Sequence, residues 1–176
     1  MLYPTTLRQS NNIVFGFHNV PTLDDIYRKF GVTAEAAQLL ETQLGNMLLL
    51  RRCAADGLLT KPNPELASDL FKTINRHTLG QLIKRLNSTP QSLDTLESLL
   101  STALQERNRL FHSFYRQHNF RRNSDEGRAL MLKDLESMHD TLLHAYKAVM
   151  LLSGVDVDAL VDSGIEHNAT TRHVQI

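Results

Sequence analysis

The sequence predicts an all-α protein, an antiparallel helical bundle of about five helices with two long helices near the C-terminus. Leucines recur at three- and four-residue intervals almost throughout, no convincing run of alternating β-branched residues follows position 20, and aromatic residues make up only 6%. A chain of 176 residues with 41% hydrophobic content is long enough to bury one sizeable core. One bundle domain is therefore expected over 21–153, with a partly irregular arm at 1–20 and an acidic, then polar tail at 154–176.

Each helix has its own signals. Thr22 before LDDIYRKF reads as the cap of a short helix with acids in its first turn, stopped at Gly31. Thr33 is expected to open a long helix in which Ala36, Ala37, Leu40, Leu44, Met47, Leu48 and Leu50 lie mostly on one broad face, with Gly57 placed to end it. Lys61-Pro-Asn-Pro64 cannot continue a helix, and Pro64 suits the first turn of the next, which runs to about Asn75. TLGQLIKRL from Thr78 forms another short turn or helix. Thr89-Pro90 is a hydroxyl cap with proline at the first helical position, and the helix it opens runs to about Gln117. Asn123 with Glu126 three residues on resembles a capping box; a second long helix follows from Ser124 to about Leu152, ended by Gly154.

Composition narrows the function classes. Lys+Arg and Asp+Glu are 19 each, so the whole molecule has no long-range field to gather nucleic acid or anionic membrane, and any such binding is local. The single Cys53 rules out an internal disulfide and a cysteine-rich zinc site; a buried structural thiol is expected. No apolar run approaches the ~18 residues of a membrane span, and the patch Ile13-Val14-Phe15 is too short for a signal peptide, which points to a cytoplasmic protein without a membrane partner. There is no Walker-type loop, no Gly-x-Ser-x-Gly and no dinucleotide fingerprint. Glu136-x-x-His139 and Asp140-x-x-x-His144 have helical spacings that suit a metal, but di-iron bundles need a second such pair. A solvated face is expected there, and no metal or cofactor is assigned.

The stretch ERNRLFHSF, Glu106 to Phe114, carries the one unusual pattern. At 100° per residue, Leu96, Leu100, Ala103, Leu104, Phe111 and Phe114 fall within about 60° of Arg107, which places an arginine at the centre of the core stripe. Asn108, His112 and Tyr115 form a second, polar face beside it. A half-buried guanidinium must be paired, so Arg107 either reaches past the core edge, meets an acid on a neighbouring helix or serves a site. Arg-Asn-x-x-x-His is expected by chance only about 0.04 times in a chain of this composition.

Arg107-Asn108-Arg-Leu-Phe-His112 resembles the signature of the HEPN superfamily (higher eukaryotes and prokaryotes nucleotide-binding domains), and the continuation Ser113-Phe-Tyr-Arg116 is similar to its bacterial, toxin-like ribonuclease branch. The resemblance implies a metal-independent RNA endonuclease in which two protomers meet along the motif helix and pool their arginines and histidines. It further implies a toxin or phage-defence role with a cognate antitoxin. Arg107 and His112 are then the catalytic candidates, with Asn108 assisting. Histidine can move protons near neutral pH as the ribose 2′-hydroxyl attacks the phosphate, and a planar arginine suits the charge that grows there.

Local charge agrees with an anionic ligand. From Arg107 to Asn123 there are five arginines and no acid. Arg109, Tyr115, Arg116, Arg121 and Arg122 are the candidate RNA contacts, Tyr115 and Phe120 being the aromatics expected at the surface and Phe111 and Phe114 in the core. The rival class is a non-catalytic helical module that dimerises or binds RNA, a nucleotide or a partner protein.

Overall fold

The computed structural model describes residues 20–87 and 94–162. The arm at 1–19, the Thr89-Pro90 start signal and the end of the tail lie outside the described residues. Within them the chain is helical and contains no strand: α1 (Leu23–Ala55), α2 (Pro64–Asn75), α3 (Leu79–Asn87), α4 (Asp94–His112), α5 (Phe114–His118), a 3-10 helix (Asn119–Asn123), α6 (Asp125–Leu152) and α7 (Val157–Asp162). The all-α fold class stands, with more and shorter pieces than five helices, and the longest helix lies at the N-terminal end.

α1 corrects the expectation of a break. Thr22 and Asp25 form a reciprocal capping box, but the helix passes through Gly31 and is 33 residues long in all. Thr33 is no cap: its hydroxyl bonds back to the Lys29 carbonyl at 2.8 Å, as threonine does in a helix interior. An interior glycine costs about 1 kcal/mol, and packing outweighs it, since Ile26, Phe30 and Ala34 on either side of Gly31 all join one apolar cluster. α1 ends at Asp56, and Gly57 takes φ 70°, which only glycine adopts freely.

α2 begins where its signals say, with Asn63 capping Leu66 N and Pro64 in the first turn. α6 is capped one residue later than expected, by Ser124 through Gly127 N at 3.1 Å, and Gly154 follows its end with φ 82°.

The largest interface is between α1 and α6. Three bonds fix its direction: Arg128 Nε donates to Pro21 O at 2.6 Å, Thr33 Oγ1 to Leu135 O at 3.3 Å, and Gln43 Nε2 to Ser153 Oγ at 3.0 Å. Residue numbers rise together along the two helices, which are therefore parallel. α4 runs opposite to both, since Arg107 near its end meets Glu41 of α1 and Arg109 meets Asp134 in the first half of α6. The antiparallel expectation thus holds for α4 with α6 and fails for α1 with α6. Three long helices that reverse direction in turn leave the first and third pointing the same way, and the short α2 and α3 fill the detour between.

Two apolar clusters share the bundle. One joins α1, α3, α4 and α6 through residues such as Leu40, Leu44, Leu82, Leu100, Leu142 and Val149. The other gathers Ile26, Leu110, Phe114, Met131, Leu135 and Met138 at the opposite end. Burying each such side chain contributes about 1.5–3 kcal/mol.

Candidate functional site

The candidate residues lie where α4 stops, at the end of the bundle that holds the second cluster. The helix does not run through to Gln117 as its periodicity suggests; it breaks at Ser113, whose φ −133° and ψ −20° leave the helical region. Phe114 is thereby sunk to 1% exposure, and its ring sits 4.6 Å from that of His118, also buried. The core stripe is rotated by roughly 30° from the expected one. Leu110, Leu100 and Ala103 are buried, whereas Phe111, expected in the core, is 40% exposed.

That rotation places Arg107 at the edge of the core, with 23% of its side chain exposed. Its Nε donates to Glu41 Oε1 at 2.9 Å, Nη1 donates to Asn108 Oδ1 at 3.3 Å, and the guanidinium lies 5.1 Å from the centre of the Phe111 ring. Arginine therefore sits in the apolar stripe because an acid on the facing helix and an aromatic ring receive it. Nη2 has no partner among the described residues. Asn108 is exposed.

His112 is exposed in the last turn of α4, and among the described residues its ring makes no hydrogen bond or ion pair. Arg116 is fixed beside it: Nη2 donates to the His112 carbonyl at 3.0 Å and to Ser113 Oγ at 3.3 Å. Within one chain Arg116 is thus held at the His112 backbone, while Arg107 is directed to α1. Of the candidate residues, the structure joins Arg116 to the His112 backbone and Arg107 to Asn108.

Arg109 belongs to a different assembly. It donates to Glu106 Oε2 through Nε and Nη2 at 3.0 and 2.7 Å, and to both oxygens of Asp134 at 2.8 Å each. Asp134 also takes His118 Nε2 at 2.7 Å, and Arg121 Nη1 lies 3.1 Å from His118 Nδ1. Arginine can only donate, so Nδ1 accepts and the proton of a neutral His118 is on Nε2. Burial works to raise the Asp134 carboxyl, but the bonds from Arg109 and His118 overcome it and hold it below the ordinary 3.8. The hydrogen bond to Asp134 in turn raises Arg109 above its usual value.

The remaining arginines and aromatics surround this corner. Arg122 donates to the Tyr27 hydroxyl at 3.2 Å. Tyr115 is 44% exposed and packs against Phe30 and Phe114 with ring centres 5.4 and 5.1 Å apart. Desolvation raises its phenol, the nearby Tyr27 adds to that, and Arg122 opposes it. Phe120 is 79% exposed, so the two aromatics expected at the surface are there. Of the five arginines in the acid-free stretch, Arg107 and Arg109 are neutralised by acids from outside it; among the described residues Arg116, Arg121 and Arg122 meet no acid.

Sequence reasoning missed Glu41, Asp134, Lys133 and the role of Gly127. The two acids lie 66 and 25 positions from their arginines, where periodicity has no reach. Gly127 did carry a signal, since a glycine in the first turn of a well-capped helix marks close approach: a Cβ there would lie 2.0 Å from the Arg121 carbonyl oxygen. Among the described residues no group of three or more His, Cys, Asp or Glu is clustered for a metal, and His139 lies 3.5 Å from Asp140 without hydrogen-bond geometry. Cys53, expected buried, is half-buried. No described helix is long and apolar enough to cross a membrane. No family model, curated protein or solved structure matches the chain significantly.

Proposed function

We propose that the chain is a metal-independent RNA endonuclease of HEPN type that acts as a homodimer through α4. The observation that carries this reading is the exposed, unpartnered ring of His112 with the Arg116 guanidinium anchored to its own carbonyl. 2′-hydroxyl attack requires a base and a cation, and these two residues supply one of each. His112 takes the 2′-hydroxyl proton as the 2′-oxygen bonds to phosphorus, the bond from phosphorus to the 5′-oxygen breaks, and the second copy's histidine returns a proton to that oxygen. Arg116 and the open Nη2 of Arg107 stabilise the phosphoryl oxygens, and Asn108 orients Arg107. A toxin or phage-defence role with a cognate antitoxin goes with this proposal.

One observation favours the rival reading, a non-catalytic binding module: Glu41, Glu106 and Asp134 already pair the charges of Arg107 and Arg109. Cleavage of RNA in excess EDTA by wild type, Arg107→Ala and His112→Ala, with folding followed by circular dichroism, separates the two. The nuclease reading expects cleavage by wild type alone. Undiminished cleavage by His112→Ala, or RNA binding by all three without cleavage, sinks it.

A further inference from the structure

Beyond His112, a shallow groove runs between α5, the 3-10 helix and α6, lined by Gln117, Arg121, Leu130, Lys133, Asp134 and Ser137 among others. Its hydrogen-bonding capacity is one-sided. The acid in it, Asp134, is engaged at both oxygens, with Oδ2 taking Arg109 and His118 and Oδ1 taking Arg109 again. The donors are not. Lys133 and the Ser137 hydroxyl have no side-chain partner among the described residues, Gln117 engages only its oxygen, and Arg121 uses only Nη1. Four donor groups around a carboxylate already paired with Arg109 and His118 suit an acceptor-rich anion.

Arg121 is also held in place twice. Its backbone carbonyl is pressed onto α6 at Gly127, where any larger residue would collide with it. Its guanidinium rests on His118, whose side chain is 3% exposed and is pinned in turn by Asp134. A free surface arginine gives up several rotamers on binding; this one, tied to His118 through Nη1, has fewer to give up.

We propose that this groove holds a backbone phosphate of single-stranded RNA, contacted by Arg121 and Lys133 with Gln117 and Ser137 as neutral donors, and that His118 is a positioning residue for Arg121. The inference rests on the ribonuclease reading and extends it to the path of the substrate. The groove is open, and its Arg121 lies in the chain between Arg122 and the exposed Phe120, which suits a strand track and not an enclosed site for a free ion.

The test is fluorescence anisotropy with a 2′-O-methyl oligoribonucleotide, which cannot supply the attacking hydroxyl, so binding is read apart from cleavage. Arg121→Ala and Lys133→Ala, both surface changes, are each expected to weaken binding roughly 3- to 10-fold and to lower the slope of log affinity against log salt by about 0.7. Unchanged affinity and slope in both overturn the proposal. Binding of inorganic phosphate alone that is lost in Lys133→Ala while oligonucleotide binding is kept would assign the groove to free phosphate, and overturns it too. His118→Gln should weaken binding in the wild-type background and add nothing to Arg121→Ala; an additive effect removes the positioning role. Slope changes as expected, with no cleavage of unmodified RNA, uphold the groove and overturn the ribonuclease reading alone.

Discussion

At one end of the bundle Leu44, Leu82, Leu100, Leu142 and Val149 meet through apolar contact, whereas at the other the cluster of Ile26, Leu110, Phe114 and Met131 is flanked by the chain Glu106–Arg109–Asp134–His118–Arg121. The difference teaches what each kind of contact is for. Apolar packing is non-directional and sets how stable the bundle is. A charged network is satisfied in one geometry only, and charges this exposed, at 23–28% for Arg109 and Asp134, add little net stability. Its product is placement: it fixes where α5 and the 3-10 helix lie on α6, and hence where Arg116, Arg121 and Phe120 stand.

Substitutions can break that contrast, and the largest effect belongs to the apolar end. Leu142→Ala removes a fully buried side chain and should cost about 2–5 kcal/mol in urea unfolding. Asp134→Ala should cost about 2 kcal/mol, because it strands Arg109 and His118. Hydrogen exchange is the sharper measure there: amides of residues 114–123 should gain exchange beyond the global loss of stability, whereas Leu142→Ala should raise exchange evenly. An even rise in both variants would erase the distinction. Gly127→Ala should open the same corner at about 1–2 kcal/mol, as the Arg121 carbonyl is pushed off α6.

Acid should find the same weak point. Asp134 is held below its ordinary 3.8, so its contribution is complete above that value and fades as pH falls through the lower, folded value. Unfolding by urea between about pH 5 and pH 2 should therefore show a fall in stability that Asp134→Asn makes shallower. The smallest effect is expected at Glu41→Gln, under about 1 kcal/mol, since that ion pair is 23% and 29% exposed. A loss of several kcal/mol would mean that Arg107 belongs with the core rather than at its edge.

Local signals were legible and distant ones were not. The start of α2 follows from Pro64, and the ends of α6 follow to within a residue from Ser124 and Gly154, because caps are contacts between near neighbours. The stop at Gly31 failed because cluster contacts on both sides override one weak residue, and the break at Ser113 was hidden because Phe114 and His118 are drawn inward by α6. At the site, the pattern marked Arg107 as needing an acid but had no means to name Glu41. It counted Arg109 with the free cations because Asp134 lies on another helix.

The parallel pairing of α1 with α6 also bears on how the chain is made. Thr33 and Leu135, which touch in the finished bundle, are 102 positions apart. At roughly 5–20 residues per second, a ribosome delivers α1 several seconds before its principal neighbour. For that interval Ile26, Leu40 and Leu44 have no α6 to cover them, so nascent α1 is a segment that chaperones would be expected to shield until translation catches up.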